Sequence, residues 1–115
     1  MLFRSGARDG AGAPWYRAVV ADDEVVGFIM ASGIGDPKAT PRLERLLVDR
    51  MHQRRGIGSA VLDQFELMCV GQGAAGLALA WAEGPGSPAS FFTARGYEPS
   101  GTNDGNQIHA LKVLL

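Results

Sequence analysis

The sequence predicts a mixed α/β domain whose sheet combines parallel and antiparallel strands, and three observations carry that expectation. The chain has 115 residues, 46% apolar and 20% charged, with a formal net charge of −1. That is the make-up of one compact domain rather than a disordered tail or two domains. Short apolar runs bounded by turn residues recur along it, and at residue 57 the pattern changes to a helical period. Sixteen glycines, several of them punctuating these runs, require positional explanations.

Residues 1–14 (MLFRSGARDGAGAP) show no apolar periodicity and read as a loose lead-in to a single domain over residues 15–115. Residues 15–21 are aromatic or β-branched often enough for a strand. Asp22, Asp23 and Glu24 supply turn chemistry, and residues 25–32 (VVGFIMAS) read as the returning strand of a hairpin. Gly27 inside that strand signals a bulge or a close backbone approach, the alternative being a glycine that merely packs under a neighbour. Residues 33–41 (GIGDPKATP) are a loop, and residues 43–49 (LERLLVD) are a short apolar run that fits a central strand. Ile57, Val61, Phe65 and Met68 then fall on one helical stripe, widened by Leu62 and Cys69 and stopped by Gly71 and Gly73. Residues 77–82 (LALAWA) read as a buried strand. Ser87 caps a short helix with Pro88 at its first position, carrying Ala89, Phe91, Phe92 and Arg95 and ending at Gly96. Residues 97–105 and 107–114 are two last strands. The unit over residues 43–82 should be a right-handed parallel strand–helix–strand crossover.

Several function classes are disfavoured at once. No run reaches the ~18 consecutive apolar residues of a membrane span. The N-terminus lacks the apolar region of a secretory signal, so a cytoplasmic protein is expected. The lone Cys69 excludes an internal disulfide framework, and with two separated histidines it gives no metal-ligand spacing. Near-zero charge argues against wholesale nucleic-acid binding, and Arg50, Arg54 and Arg55 lack the interleaved aromatics of a nucleic-acid module.

Two glycine-rich spots compete for chemistry. Residues 71–76 (GQGAAG) spell G-x-G-x-x-G, but after a helix and before a strand, where N–H groups point the wrong way for a phosphate; they read as a helix stop and loop. Residues 53–59 (QRRGIGS) follow a strand and open a helix, which is the productive order. Unpaired N–H groups and the positive end of the helix dipole make an anion site there. Gly56 and Gly58 let the backbone come close, and Arg54 and Arg55 add charge at the rim. The alternative reading is a glycine-rich helix start with solvated arginines.

Gln53-Arg54-Arg55-Gly56-Ile57-Gly58 resembles Q/R-x-x-G-x-G/A, the acyl-CoA pyrophosphate loop of the GNAT N-acetyltransferase superfamily. The preceding strand, ending Leu46-Leu47-Val48, is similar to that family's fourth strand, and residues 87–97 (SPASFFTARGY) to its later helix. Residues 81–88 (WAEGPGSP) resemble bacterial members described as diamine or polyamine acetyltransferases. The resemblance implies a mostly antiparallel sheet whose fourth and fifth strands splay apart, with acetyl-CoA in the gap and no metal. It implies that main-chain groups of Leu46, Leu47 and Val48 pair with the pantetheine arm, and that an N–H near Val48 stabilises the oxyanion. Main-chain N–H groups of Arg54, Arg55, Gly56, Ile57, Gly58 and Ser59 would hold the pyrophosphate.

A lysine-like amine, with a pKa of about 10.4, must lose a proton before it attacks. Glu44 and Glu83 are the candidate carboxylates to accept it, and a solvated surface charge is the alternative for each. The family's general acid, a tyrosine in the later helix, aligns with Phe92, which donates no proton; Tyr16 and Tyr97 are conceivable substitutes. The family also begins with a strand and two helices, which fourteen loosely patterned residues do not supply. The chain is therefore expected to be a minimal member, to lack its natural N-terminus, or to be completed by another chain, with a homodimer favoured by an exposed sheet edge and apolar face. The implied activity is acetyl transfer to the primary amine of a small-molecule acceptor; the alternative is a CoA-binding protein of the same fold with little or no catalysis.

Overall fold

The computed structural model describes residues 2–5, 15–36, 38–49 and 56–114. In chain order the elements are β1 (Leu2–Ser5), β2 (Trp15–Ala21), β3 (Glu24–Ser32), β4 (Arg42–Val48), α1 (Ile57–Gly71), β5 (Gly76–Ala82), α2 (Ala89–Ala94), β6 (Glu98–Asp104) and β7 (Gln107–Val113). The strands form one seven-stranded sheet in the order β1-β2-β3-β4-β5-β7-β6. Neighbours are antiparallel except β4 and β5, the pair joined through α1. The expected mixed, mostly antiparallel architecture is the one observed.

The lead-in over residues 1–14 is not wholly loose. Leu2–Ser5 pairs antiparallel with β2, from Leu2 against Val20 to Ser5 against Arg17. Four residues without periodicity carry no strand signal of their own; the exposed edge of β2 supplies the hydrogen-bonding partner that makes them one. The initial strand that the resemblance implies is therefore present. The short helix also begins later than expected, at Ala89, and Ser87 serves it by accepting the Ala89 N–H at 3.2 Å.

Asp22 and Asp23 turn the β2–β3 hairpin with φ of 52° and 63°, the left-handed pair of a type I′ turn that aspartate tolerates better than most residues. Both a bulge and a close backbone approach are found at Gly27. The register slips between Val19 and Val20 opposite it, and a Cβ on Gly27 would overlap the Leu47 carbonyl oxygen. A second slip, between Met30 and Ala31, leaves Glu44 as an extra residue on β4, because Met30 faces Arg45 and Ala31 faces Leu43.

The helical stripe read from the sequence is the buried face of α1: Ile57, Val61, Leu62, Phe65 and Cys69. It packs on the inner face of the sheet, where the Trp15 and Phe65 rings lie 5.4 Å apart. Alternation along β5 puts Leu77, Leu79 and Trp81 into the same core, and β7 adds Ala110. The opposite face of the sheet leaves Leu47, Leu111 and Val113 exposed. Among the described residues no helix is long and apolar enough to cross a membrane.

Candidate active site

The sheet is divided. β4 pairs with β3 from Arg42 to Val48, and β5 pairs with β7 along its whole length. Between β4 and β5 the register holds only at Arg42 against Ala78, where the Ala78 N–H donates to the Pro41 carbonyl at 2.9 Å. The bulge at Glu44 follows two residues later, and a bulged strand bends. From there the strands diverge around a cleft of about 580 Å³.

Its walls come from Leu46 and Val48 on one side and Trp81, Phe91 and Phe92 on the other, with Gly58 where α1 begins. The aromatic wall is tightly built: Trp81 and Phe92 stack with centroids 5.9 Å apart, and Phe91 and Tyr97 meet Phe92 edge-on at 5.1 and 5.8 Å. Just past the end of β4, Asp49 donates its N–H to the Val26 carbonyl at 2.6 Å. Strand alternation then turns the main-chain groups of Leu47 toward β3, and those of Leu46 and Val48 toward the cleft.

Gly56 precedes α1 with φ 75°, and among the described residues no side chain caps the helix and no acidic residue stands in its first turn. No carboxylate of the first turn therefore competes for the N–H groups of Ile57, Gly58 and Ser59, which α1 does not use. The two glycines serve different ends. A Cβ on Gly56 would meet nothing within 4 Å, so its requirement is the left-handed backbone. A Cβ on Gly58 would lie 3.8 Å from Phe91, at the cleft wall, and a larger side chain would stand in the cleft. Arg54 and Arg55, like Arg50 and His52, lie outside the described residues.

The two candidate carboxylates are separated. Glu44 lines the cleft, with its Oε1 accepting the Ser32 hydroxyl at 2.8 Å and facing Arg42 Nε at 3.4 Å. Glu83 is exposed just past the end of β5; its main-chain N–H donates to the Asn106 carbonyl at 2.8 Å, and it does not line the cleft. Phe92, which the sequence resemblance aligns with a tyrosine, is a cleft wall and brings no hydroxyl. Neither tyrosine replaces it. Tyr16 sits on β2 opposite Met30, away from the cleft lining. Tyr97 is buried, and its hydroxyl donates to Glu66 Oε2 at 2.8 Å. Burial, reinforced by that hydrogen bond and the Glu66 charge, pushes the phenol well above its ordinary range.

Glu66 is the centre of a second polar cluster. Lys112 Nζ lies 2.8 Å from its Oε1 and Arg95 reaches it at 4.0 Å, while Arg95 also pairs with Asp63. Cys69 lies beneath, buried, its thiol pushed up to about 11 by burial and then by the Glu66 charge. Cys69 is thus the small core residue its place on the stripe predicts. His109 rests against Arg42, Nδ1 to Nη2 at 3.4 Å. The loop after α1 is a helix stop, with Gly73 at φ 86°. Sequence reasoning passed over Arg45, which lines the cleft beside Glu44; only the bulge brings it there.

A split between parallel strands, leading to an uncapped helix start, defines a domain able to hold an elongated ligand with an anionic head. The chain belongs to the acetyltransferase (GNAT) family, whose model matches residues 2–97. Solved structures agree in fold. PaiA N-acetyltransferase from Thermoplasma acidophilum, in complex with coenzyme A, has a TM-score of 0.75 at 23% identity over 87% of this chain and 60% of that one. A GNAT family acetyltransferase from Elizabethkingia anophelis with acetyl-CoA bound has 0.74 at 11% identity, over 87% and 76%. Aminoglycoside 6'-N-acetyltransferase from Enterococcus faecium has 0.71 at 20% identity, over 89% and 73%. The chain thus spans only about 60% of the length of the PaiA enzyme. A comparison with curated proteins finds no match. Among the described residues no group of three His, Cys, Asp or Glu side chains is placed to hold a metal ion.

Proposed function

We propose that this chain transfers an acetyl group from acetyl-CoA to the primary amine of a small molecule, by direct attack in a ternary complex. One observation carries the reading: the β4–β5 split opens beside the uncapped start of α1, so a narrow arm and its diphosphate have adjoining places. Bound there, acetyl-CoA supplies a thioester; the amine nitrogen bonds to its carbonyl carbon, the C–S bond breaks, and CoA leaves as a thiolate that takes its proton from water. Main-chain groups of Leu46 and Val48 line the arm from the β4 side, with Leu47 holding that strand to β3. An N–H near Val48 is the proposed oxyanion donor. The first-turn N–H groups, with Arg54 and Arg55, hold the diphosphate.

Glu44 is the carboxylate to which the amine proton passes, directly or through water; its Oε2 is the oxygen that neither Ser32 nor Arg42 occupies. Glu83, exposed beyond β5, is the lesser candidate. Phe92 supplies no acid, and departure of a thiolate, whose pKa is near ~8.5, needs limited help. A second reading, CoA binding with little turnover, is favoured by that phenylalanine alone. Calorimetric titration with acetyl-CoA and a thiol-release assay across primary amines decide between them. Binding with thiol release supports acetyl transfer, binding without it supports the second reading, and no binding refutes both.

We further propose a cytoplasmic protein that associates as a homodimer through the apolar face carrying Leu47, Leu111 and Val113. A monomeric mass in solution would count against the dimer.

A further inference from the structure

We infer that the acceptor is an amine with an anionic group a few bonds from its nitrogen, the α-amino acid class, and that Arg45 is the residue that selects it. The inference rests on the acetyl-transfer reading of this cleft. Along a regular strand, neighbouring side chains go to opposite faces. The bulge suspends that rule in β4, and Glu44 and Arg45 both line the cleft. Two opposite charges are thus offered from α-carbons about 3.8 Å apart.

The two are not equally committed. Glu44 is fixed by Ser32 and Arg42, and Arg42 leans in turn on His109. Arg45 has no ion-pair or hydrogen-bond partner among the described residues. Arg42, already paired with Glu44, offsets that carboxylate, and Arg45 is the cation that lines the cleft among the described residues. The second ammonium of a diamine would meet like charge there. A carboxylate would meet a guanidinium fork of matching shape, while its neighbouring amine reached Glu44.

The test uses the intact chain loaded with CoA for binding and acetyl-CoA for turnover. L-Alanine, L-serine and L-threonine are compared with their carboxamides, which keep the amine and lose the negative charge, and putrescine is the diamine probe. The free acids should bind and be acetylated about tenfold better than their carboxamides. Arg45→Ala should erase that preference chiefly through KM, and Arg45→Lys should restore part of it. Equal use of acids and carboxamides, preference for putrescine, loss of both classes alike in Arg45→Ala, or binding of neither class would overturn the inference. Thiol release without an acid preference overturns this inference and leaves acetyl transfer standing. Arg45-dependent binding of the acids to the CoA-loaded chain, with no thiol release from acetyl-CoA, supports Arg45 as the residue that selects the acid and overturns acetyl transfer to it.

Discussion

The two ends of helix α1 treat polar groups in opposite ways. At its start, Gly56 enters in a left-handed conformation, no side chain caps the first turn, and the cleft begins at Gly58. In its second half, Glu66 is engaged by Tyr97, Lys112 and Arg95, which come from the chain after α2 and from β7. Under the proposed function, the first end offers its donors to the ligand. The second uses its charge to bind the short helix region and the last strand to α1. If the proposed function holds, one helix separates ligand binding from stability, and substitutions in its two halves should move different measurements.

Glu66→Ala should have the largest effect. It leaves a phenol and an ammonium without their acceptor in a half-buried site, which should lower stability by about 2–3 kcal/mol in urea denaturation. The acetyl-CoA dissociation constant should hardly change; a matching loss of affinity would break the separation. Phe92→Tyr places a hydroxyl in the cleft wall and should raise kcat by about 10²-fold, the lower end of what a general acid contributes. Unchanged kcat would show that thiolate departure is not limiting. Gly58→Leu should weaken acetyl-CoA binding about ten- to a hundredfold by occupying the cleft. Its urea midpoint should not fall, since glycine is the poorer helix former.

The effect confined to the narrowest range of conditions is the pH dependence from Cys69. Its thiol binds a proton more tightly folded than unfolded, with the pKa raised from 9.0 to about 11. Its contribution is therefore complete below pH 9 and declines between about pH 9 and 11, by at most about 1.4 kcal/mol per pH unit. Cys69→Ala should flatten that alkaline decline in a thermal melt series, and an identical slope would assign it to other groups such as Tyr97.

Much of this was readable from residue patterns. The change of period at Ile57, with glycines just before and inside the helix start, located both α1 and the candidate anion site. The Asp22-Asp23 hairpin and Gly27 carried their geometry in their residue types. Non-local features did not. Leu2–Ser5 becomes a strand only because β2 offers an edge, and nothing within those four residues encodes it. The extra residue in β4 depends on register against β3, so the joint appearance of Glu44 and Arg45 in the cleft had no sequence signature. Glu83, the alternative carboxylate, sits just past the end of β5 and outside the cleft lining, a placement set by where the strands diverge. Tyr97 was an open candidate in the sequence and is tied to Glu66 by a contact between residues 31 apart.

The single register pair between β4 and β5 means that the sheet consists of two leaves with one shared rung. A strand-like ligand lodged in the split would act as mortar between them, adding rungs that the polypeptide itself does not make. Heat resistance should then climb with ligand concentration, by about 2.7 kcal/mol at a hundred times the dissociation constant. Amide exchange should slow first along the facing margins of the two leaves.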